Sequence, residues 1–162
     1  MADGLSQLRA SIHDWRRLGK HAALPQALAW LAEALVLNGE PRDALAAAEQ
    51  GLDAVRQTGV RCCDAELYRL RGEAIRACGT PGTTIDEGSH DVAEASFWAG
   101  ITVARQQGAP TLELRVAISL ARFLLDSGRE GEARQILGAT SEVLEASGPT
   151  PDLTAARALL RR

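Results

Sequence analysis

Apolar residues recur at helical spacing along the chain, and a glycine repeatedly closes the apolar run. In the first stretch, Leu5, Leu8, Ile12 and Trp15 share one face of a helix. No run of alternating β-branched residues is long enough to predict a strand. The pattern predicts an all-α fold of about seven to eight helices, near residues 4–18, 22–38, 41–57, 61–78, 91–107, 110–127, 130–147 and 150–161.

One sequence motif occurs three times: a helix ends in glycine, a short link follows, and an Ala-rich helix comes next. Gly39 and Gly79 are 40 residues apart, and Gly79 and Gly128 are 49 apart, which fits the same period if loop 80–90 carries an insertion. A single helix pair cannot bury its apolar face, so neighbouring pairs must stack. We predict one domain over 1–162, comprising an orphan helix at 4–19, pairs at 22–59, 61–108 and 110–148, and a C-terminal capping helix at 150–161.

Charge and cysteine usage narrow the class of protein. The net charge is −3, from 18 basic and 21 acidic residues that are mixed along the helices, so no basic stripe for nucleic acid is expected. No apolar run is long enough to cross a membrane, and the sequence after Met1 lacks the pattern of a signal peptide. Three cysteines, two of them adjacent, form a poor disulfide framework and favour a reducing cytoplasm.

Each unit resembles the tetratricopeptide repeat, which has small and apolar residues in helix A, a glycine before the turn and small residues in helix B. The resemblance implies an α-α superhelix, or solenoid, of antiparallel helix pairs. The matching positions are Leu28, Leu31, Ala32, Leu35, Gly39, Ala44, Ala48 and Gly51 in the first unit, Tyr68, Gly72, Ile75, Gly79, Ala93, Phe97 and Gly100 in the second, and Ala117, Leu120, Ala121, Leu124, Gly128, Ala133 and Leu137 in the third.

Several longer segments are similar to the C-terminal repeats of large bacterial signalling proteins. Among them are Ala65-Glu-Leu-Tyr-Arg-Leu-Arg-Gly-Glu and Ala104-Arg-Gln-Gln-Gly-Ala. Those proteins join an adenylate/guanylate cyclase or winged-helix part to a predicted signal-transduction ATPase and then to the repeats. The similarity runs from Gly4 to Leu160 and implies a regulatory module. The first helix looks like a B helix without its A partner, which suggests the tail of a longer array. No Gly-x-x-x-x-Gly-Lys phosphate loop is present, so no nucleotide chemistry is carried over.

The sequence predicts no catalytic residue, no cofactor and no metal site, and therefore no enzyme. His13, His21 and His90 lack partners at metal-ligand spacing, and Asp91 is expected at the start of the fifth helix. Cys62 and Cys63 are expected in a helix start, where the pKa of a thiol can fall, although a structural role is favoured over a catalytic one. Among the tryptophans, Trp15 is expected to pack between helices and Trp98 to be partly exposed.

The surface most suited to binding is the inner, concave face of the helix A series. Mixed charge on this face favours a peptide or protein partner over a polyanion. Three alternatives stay open: a solvated face whose charges pair with one another, as Arg69 and Glu73 could at four residues apart; a small-molecule effector sensor near Trp30 or Trp98; and a scaffold that self-associates through its first helix. The candidate partner-binding residues are Gln26, Glu33, Glu66, Arg69, Glu73, Arg76, Arg122 and Asp126.

Overall fold

The computed structural model describes residues 2–79, 87–144 and 150–161, and within these ranges the chain is all-α without a strand. The predicted all-α class is therefore confirmed. A single 3-10 turn at His21–Ala23 precedes the second helix. The eight α-helices are α1 (Ala2–Arg17), α2 (Leu24–Leu37), α3 (Pro41–Thr58), α4 (Asp64–Cys78), α5 (Glu87–Gln106), α6 (Pro110–Asp126), α7 (Glu130–Leu144) and α8 (Pro151–Leu160).

Two helix starts differ from the predicted ones by three residues or more. Helix α4 begins at Asp64 rather than at 61, because Cys63 has the non-helical backbone of a helix cap, with φ of −129°. Helix α5 begins at Glu87 rather than at 91, so the end of the predicted loop 80–90 is helical and Asp91 lies in its second turn. The rest of that loop, 80–86, and the predicted end of the seventh helix beyond 144 lie outside the described residues.

Glycines end several helices by adopting a backbone that other residues avoid. Gly19, Gly39, Gly59, Gly108 and Gly128 have φ between +61° and +74°. At Gly39 its N–H donates to the carbonyl of Val36, and the next N–H donates to the carbonyl of Leu35, which satisfies the last turn of α2. Gly79 ends α4 with φ of −93°, so the second unit is closed by a different turn from the first and third.

The helices contact one another in a simple order. Each helix contacts the next along the chain, and α2 also contacts α4, α4 contacts α6, and α6 contacts α8. The even-numbered helices therefore form a row, which we call the even row. Two large side-chain clusters fill most of the core: one is built from α1 to α4 and the other from α4 to α8, and Leu45 packs against both. A third, small cluster joins Ala65 of α4 to Val103 and Ala104 of α5.

Glycines inside the helices allow this close packing. A Cβ atom on Gly72 of α4 would lie 2.5 Å from the ring of Phe97 on α5. A Cβ on Gly100 of α5 would lie 3.1 Å from the backbone oxygen of Ala65 and from Val116. These glycines thus let larger side chains from the neighbouring helix fill the space above them.

Candidate functional site

Part of the predicted face forms an ion-pair cluster that joins α2 to α4. The guanidinium of Arg69 donates two hydrogen bonds to Glu66, at 3.0 Å from Nε and 2.5 Å from Nη2. The same Nη2 lies 3.4 Å from Oε1 of Glu33 on α2. The side chains of Arg69 and Glu66 are each only 13% exposed, so this pair is largely withdrawn from solvent, whereas Glu33 is about half exposed.

A second cluster joins α4 to α6. Arg76 donates from Nη2 to Glu73 at 2.9 Å and from Nη1 to Asp126 at 3.1 Å. Glu73 is buried, while Asp126 is exposed. The expected pair of Arg69 with Glu73 does not form: Arg69 uses its planar fork on Glu66 and reaches across to α2, and Glu73 pairs with Arg76 instead.

The electrostatics of Arg69 show that its acidic neighbours outweigh the cost of burial. Burial acts to lower the pKa of Arg69, but its hydrogen bonds to Glu66 and the charges of Glu66, Glu73 and Glu33 raise it above its ordinary value. Most charges on the predicted face thus pair with one another. Their arrangement ties α2, α4 and α6 together, as in the self-paired alternative.

Arg122 is the exception on this face. It is exposed on α6, and within the described ranges no carboxylate lies at salt-bridge distance from it. It borders a cavity of about 330 Å³ between α4, α6 and α8, with one polar and one apolar side. We call this cavity the Arg122 pocket; it is lined by Arg76, Arg122, Asp126, Ala155, Ala158 and Leu159.

The sequence predicts Arg76, Arg122 and Asp126 on one face, but it does not predict that α8 lines the Arg122 pocket. Leu153 and Ala156, which are buried and three residues apart as are Leu114 and Ala117 of α6, could have indicated it. Gln26 lies two turns before Glu33 on α2, is partly exposed, and makes no side-chain hydrogen bond within the described ranges.

A different cavity, of about 350 Å³, lies between α3, α4 and α5. Leu52, Val55 and Val103 give it apolar walls, and Tyr68 and Asp64 of α4 also line it. Asp64 is buried; its Oδ2 accepts a hydrogen bond from Nε of Arg61 at 2.8 Å, and its Oδ1 has no hydrogen-bond partner. The hydrogen bond and charge of Asp64 raise the pKa of Arg61. We call this cavity the Asp64 pocket.

The cysteines and histidines take structural positions. Cys62, Cys63 and Cys78 are all free, and burial of Cys63 raises its pKa to about 12, whereas a helix start can lower the pKa of a thiol. The ring of His90 lies 4.2 Å from that of Phe123, and its Nε2 lies 2.9 Å from the hydroxyl of Ser127. Within the described ranges no three His, Cys, Asp or Glu side chains are grouped to hold a metal ion.

Trp15 packs against other helices and Trp98 is partly exposed, as expected. Trp15 is partly buried against the α1–α4 core. Trp98 is 41% exposed on α5, and its indole N–H donates to Glu94. Trp30 is still more exposed on α2, and neither Trp30 nor Trp98 lines the Arg122 pocket or the Asp64 pocket.

Comparisons with known proteins add no relationship: no family model and no curated protein sequence matches the chain. The resemblance to tetratricopeptide repeats therefore stays a prediction from sequence. Of the described helices, none combines the length and apolar character needed to cross a bilayer.

Proposed function

We propose that this chain is a non-catalytic interaction module, a solenoid similar to tetratricopeptide repeats that binds a peptide segment of another protein along its even row. The observation that carries the proposal is Arg122. It is an exposed cation without an ion-pair partner in the described part of the chain, beside a pocket with an apolar wall. The other charged residues of the face are engaged in holding helices together.

The two sides of the Arg122 pocket suit different parts of one ligand. Arg76 is already shared between Glu73 and Asp126, so Arg122 is the group free to pair with an incoming carboxylate. Ala155, Ala158 and Leu159 offer a shallow apolar surface to a small side chain. We infer that the ligand is a peptide with an acidic group next to a small apolar residue.

The biological setting is proposed on the sequence alone. A regulatory role in a bacterial signalling protein rests on the resemblance of the repeat phrases. A reducing, cytoplasmic location fits three free cysteines, one of them buried. The mixed charge gives no support to a nucleic-acid partner.

A random peptide library displayed on phage tests the proposal directly. We expect selected peptides to carry Asp, Glu or a free C-terminal carboxylate beside a small apolar residue. Their affinity should fall by about tenfold or more for Arg122→Glu, because a favourable charge contact becomes repulsive. Arg42→Glu is the matched control, since Arg42 is exposed on α3 away from the even row. Failure to enrich any peptide, or equal binding to both variants, would refute the proposed function.

The Asp64 pocket favours a second candidate, a small-molecule effector sensor. Its apolar walls and the unpaired Oδ1 of Asp64 fit a compact apolar molecule that carries an amine or hydroxyl donor. Thermal unfolding with a panel of nucleotides, sugars, amines and acyl compounds tests it. A ligand at one hundred times its Kd should stabilise the fold by about 2.7 kcal/mol. Stabilisation that persists in Asp64→Asn would place the ligand elsewhere.

A further inference from the structure

A second cavity, of about 370 Å³, lies beside the Asp64 pocket, between α3 and α4. Three residues line both cavities: Leu52 and Arg56 of α3, and Tyr68 of α4. Arg71 of α4 lines the second cavity and not the first, so we call the second one the Arg71 pocket. The two cavities therefore adjoin at Tyr68, and the volume of each lies within the range of about 300–1,000 Å³ that is usual for small-molecule sites.

One stripe of α4 runs along both cavities. Asp64 lines the first, Tyr68 follows four residues later and lines both, and Arg71 follows three residues after Tyr68. Residues at this spacing share one face of a helix. Val55 of α3 and Val103 of α5 line only the Asp64 pocket. The stripe thus connects an apolar end of the combined site to a polar end.

The apolar end contains a buried acceptor that no group in the described part of the chain satisfies. Oδ1 of Asp64 has no hydrogen-bond partner, while Oδ2 accepts from Arg61 at 2.8 Å. A buried acceptor left unpaired is costly, and a ligand donor that reaches it removes that cost. The side chain of Arg61 is 60% exposed, so it can turn further toward solvent and admit a donor without loss of core packing.

The charges along the combined site are already matched. They form three ion pairs: Asp64 with Arg61, Asp53 with Arg56, and Glu49 with Arg71. A charged ligand would add an unmatched charge to these pairs, which favours a neutral ligand. Glu49 and Asp53 are about half exposed, and a carboxylate has more acceptor positions than one arginine contact uses. The polar end therefore suits the hydroxyl groups of a ligand.

We propose that the Asp64 pocket and the Arg71 pocket form one site for a neutral nucleoside whose base carries an amino group. The amino group donates to Oδ1 of Asp64, and the base lies against Tyr68 and the apolar wall. The sugar hydroxyls donate to Glu49 and Asp53. This inference rests on the second candidate function, the effector sensor, and is independent of the Arg122 pocket.

Calorimetric titration with adenosine, and with an adenosine whose amino group carries two methyl groups, tests the buried contact. Only adenosine can donate from its amino group, so it should bind the unaltered chain about tenfold or more tightly. Asp64→Asn should lose this preference, because Arg61 holds the amide oxygen and the amide N–H₂ then faces the ligand. Asp43→Asn, on α3 and in neither cavity, is the matched control and should keep the preference.

An unchanged preference in Asp64→Asn would come from the bulk of the methyl groups and would overturn the contact with Asp64. If Asp64→Asn does not fold, nuclear Overhauser contacts between the base of adenosine and the ring of Tyr68 decide on the unaltered chain. Tyr68 is the one tyrosine of the sequence, so its ring signals are unambiguous. Absence of these contacts with adenosine bound would place the nucleoside elsewhere and refute the site.

Free adenine tests whether the two cavities act as one site. It keeps the amino group but lacks the sugar, so it should bind about tenfold or more weakly than adenosine. Equal affinities would overturn the single site. If adenosine does not bind while another small molecule stabilises the unaltered chain and not Asp64→Asn, the nucleoside is wrong and the effector sensor stands. If no compound of the panel stabilises the chain, both are wrong.

Discussion

At the scale of single residues, glycines without a side chain set the distance between neighbouring helices. Gly51 of α3 lies under Leu67, Gly72 of α4 under Phe97, and Gly100 of α5 against Ala65 and Val116. Each of these glycines is buried in a helix, where the residue itself weakens the helix relative to alanine. The helix propensity that is lost is offset by the burial of the larger neighbour.

Gly72→Ala should destabilise the fold by about 1–3 kcal/mol, because the new methyl group would meet the rigid, fully buried ring of Phe97. Gly138→Ala on α7 is the matched control. It has no atom within 4 Å of the added Cβ, so the same change should stabilise by about 0.5–1 kcal/mol through helix propensity. Urea unfolding measures both. Changes of the same sign in the two variants would contradict this account of the packing.

The buried thiol of Cys63 gives a second prediction, on the dependence of stability on pH. Burial raises the pKa of Cys63 to about 12, whereas in the unfolded chain it ionises near its ordinary value of 9.0. Its contribution to stability is therefore complete below about pH 9 and is lost as the pH rises toward about 12. We expect the free energy of unfolding to fall more between about pH 8 and pH 11 in the unaltered chain than in Cys63→Ala.

Thiol labelling provides the control for this interpretation. Cys62 and Cys78 are exposed and should react with a disulfide reagent in the native state, while Cys63 should react only when the chain unfolds. Rapid labelling of all three thiols, or identical pH slopes for the two chains, would show that Cys63 is not held protonated by burial.

At the scale of helices, the clearest match between sequence and structure is the start of α8. The sequence predicts a capping helix over 150–161; Pro151 is its first residue, and the Thr150 hydroxyl accepts a hydrogen bond from the N–H of Leu153 at 3.1 Å. Such a cap satisfies one of the backbone donors that a helix leaves free in its first turn.

Thr150→Ala should therefore cost about 1 kcal/mol. Thr154→Ala is the matched control on the same helix; Thr154 is exposed, and its hydroxyl donates only to a carbonyl that already accepts the Thr154 N–H. Hydrogen exchange at the Leu153 amide reports the local effect, and chemical denaturation the global one. Equal losses in the two variants would remove the cap from the explanation.

Helix starts agree best with the sequence where proline lies in the first turn. Helices α3, α6 and α8 begin at Pro41, Pro110 and Pro151, each within one residue of the predicted start, because proline suits the first turn. The start of α4 was placed three residues early, since nothing in Arg61-Cys62-Cys63 marks a cap. The start of α5 was placed four residues late, because Gly88 and Ser89 are typical of turns yet lie inside the helix.

The sequence predicts which residues of the candidate site share a face, but it does not predict which of them contact one another. Helical spacing placed Arg69, Arg76 and Asp126 on one side of their helices, and the structure brings them into two clusters. Which carboxylate each arginine pairs with depends on the distance between neighbouring helices. The spacing of residues along one helix carries no information about that distance. The unpaired state of Arg122 and the wall supplied by α8 are consequences of that tertiary arrangement.

At the scale of the whole molecule, the even row is held together by two arginines of α4. Arg69 reaches α2 and Arg76 reaches α6, so the charges of one helix connect three. The two core clusters also meet at α4, which contributes Leu70 to one and Ile75 to the other. Helix α4 is therefore the element through which the two halves of the chain are coupled.

Arg69→Gln should cost about 2 kcal/mol, because it leaves the largely buried Glu66 without its bidentate partner and releases Glu33 of α2. This value lies below the range for fully buried pairs, since Glu33 is about half exposed and its share is screened by solvent. Arg122→Gln, on the same row but unpaired, should change stability by less than about 0.5 kcal/mol. Urea unfolding of both variants measures the difference, and adding Glu66→Gln to Arg69→Gln should recover part of the loss because no charge is then left unpaired. If Arg69→Gln and Arg122→Gln were equally mild, the ion pairs of the even row would be surface contacts without a part in holding α2 to α4.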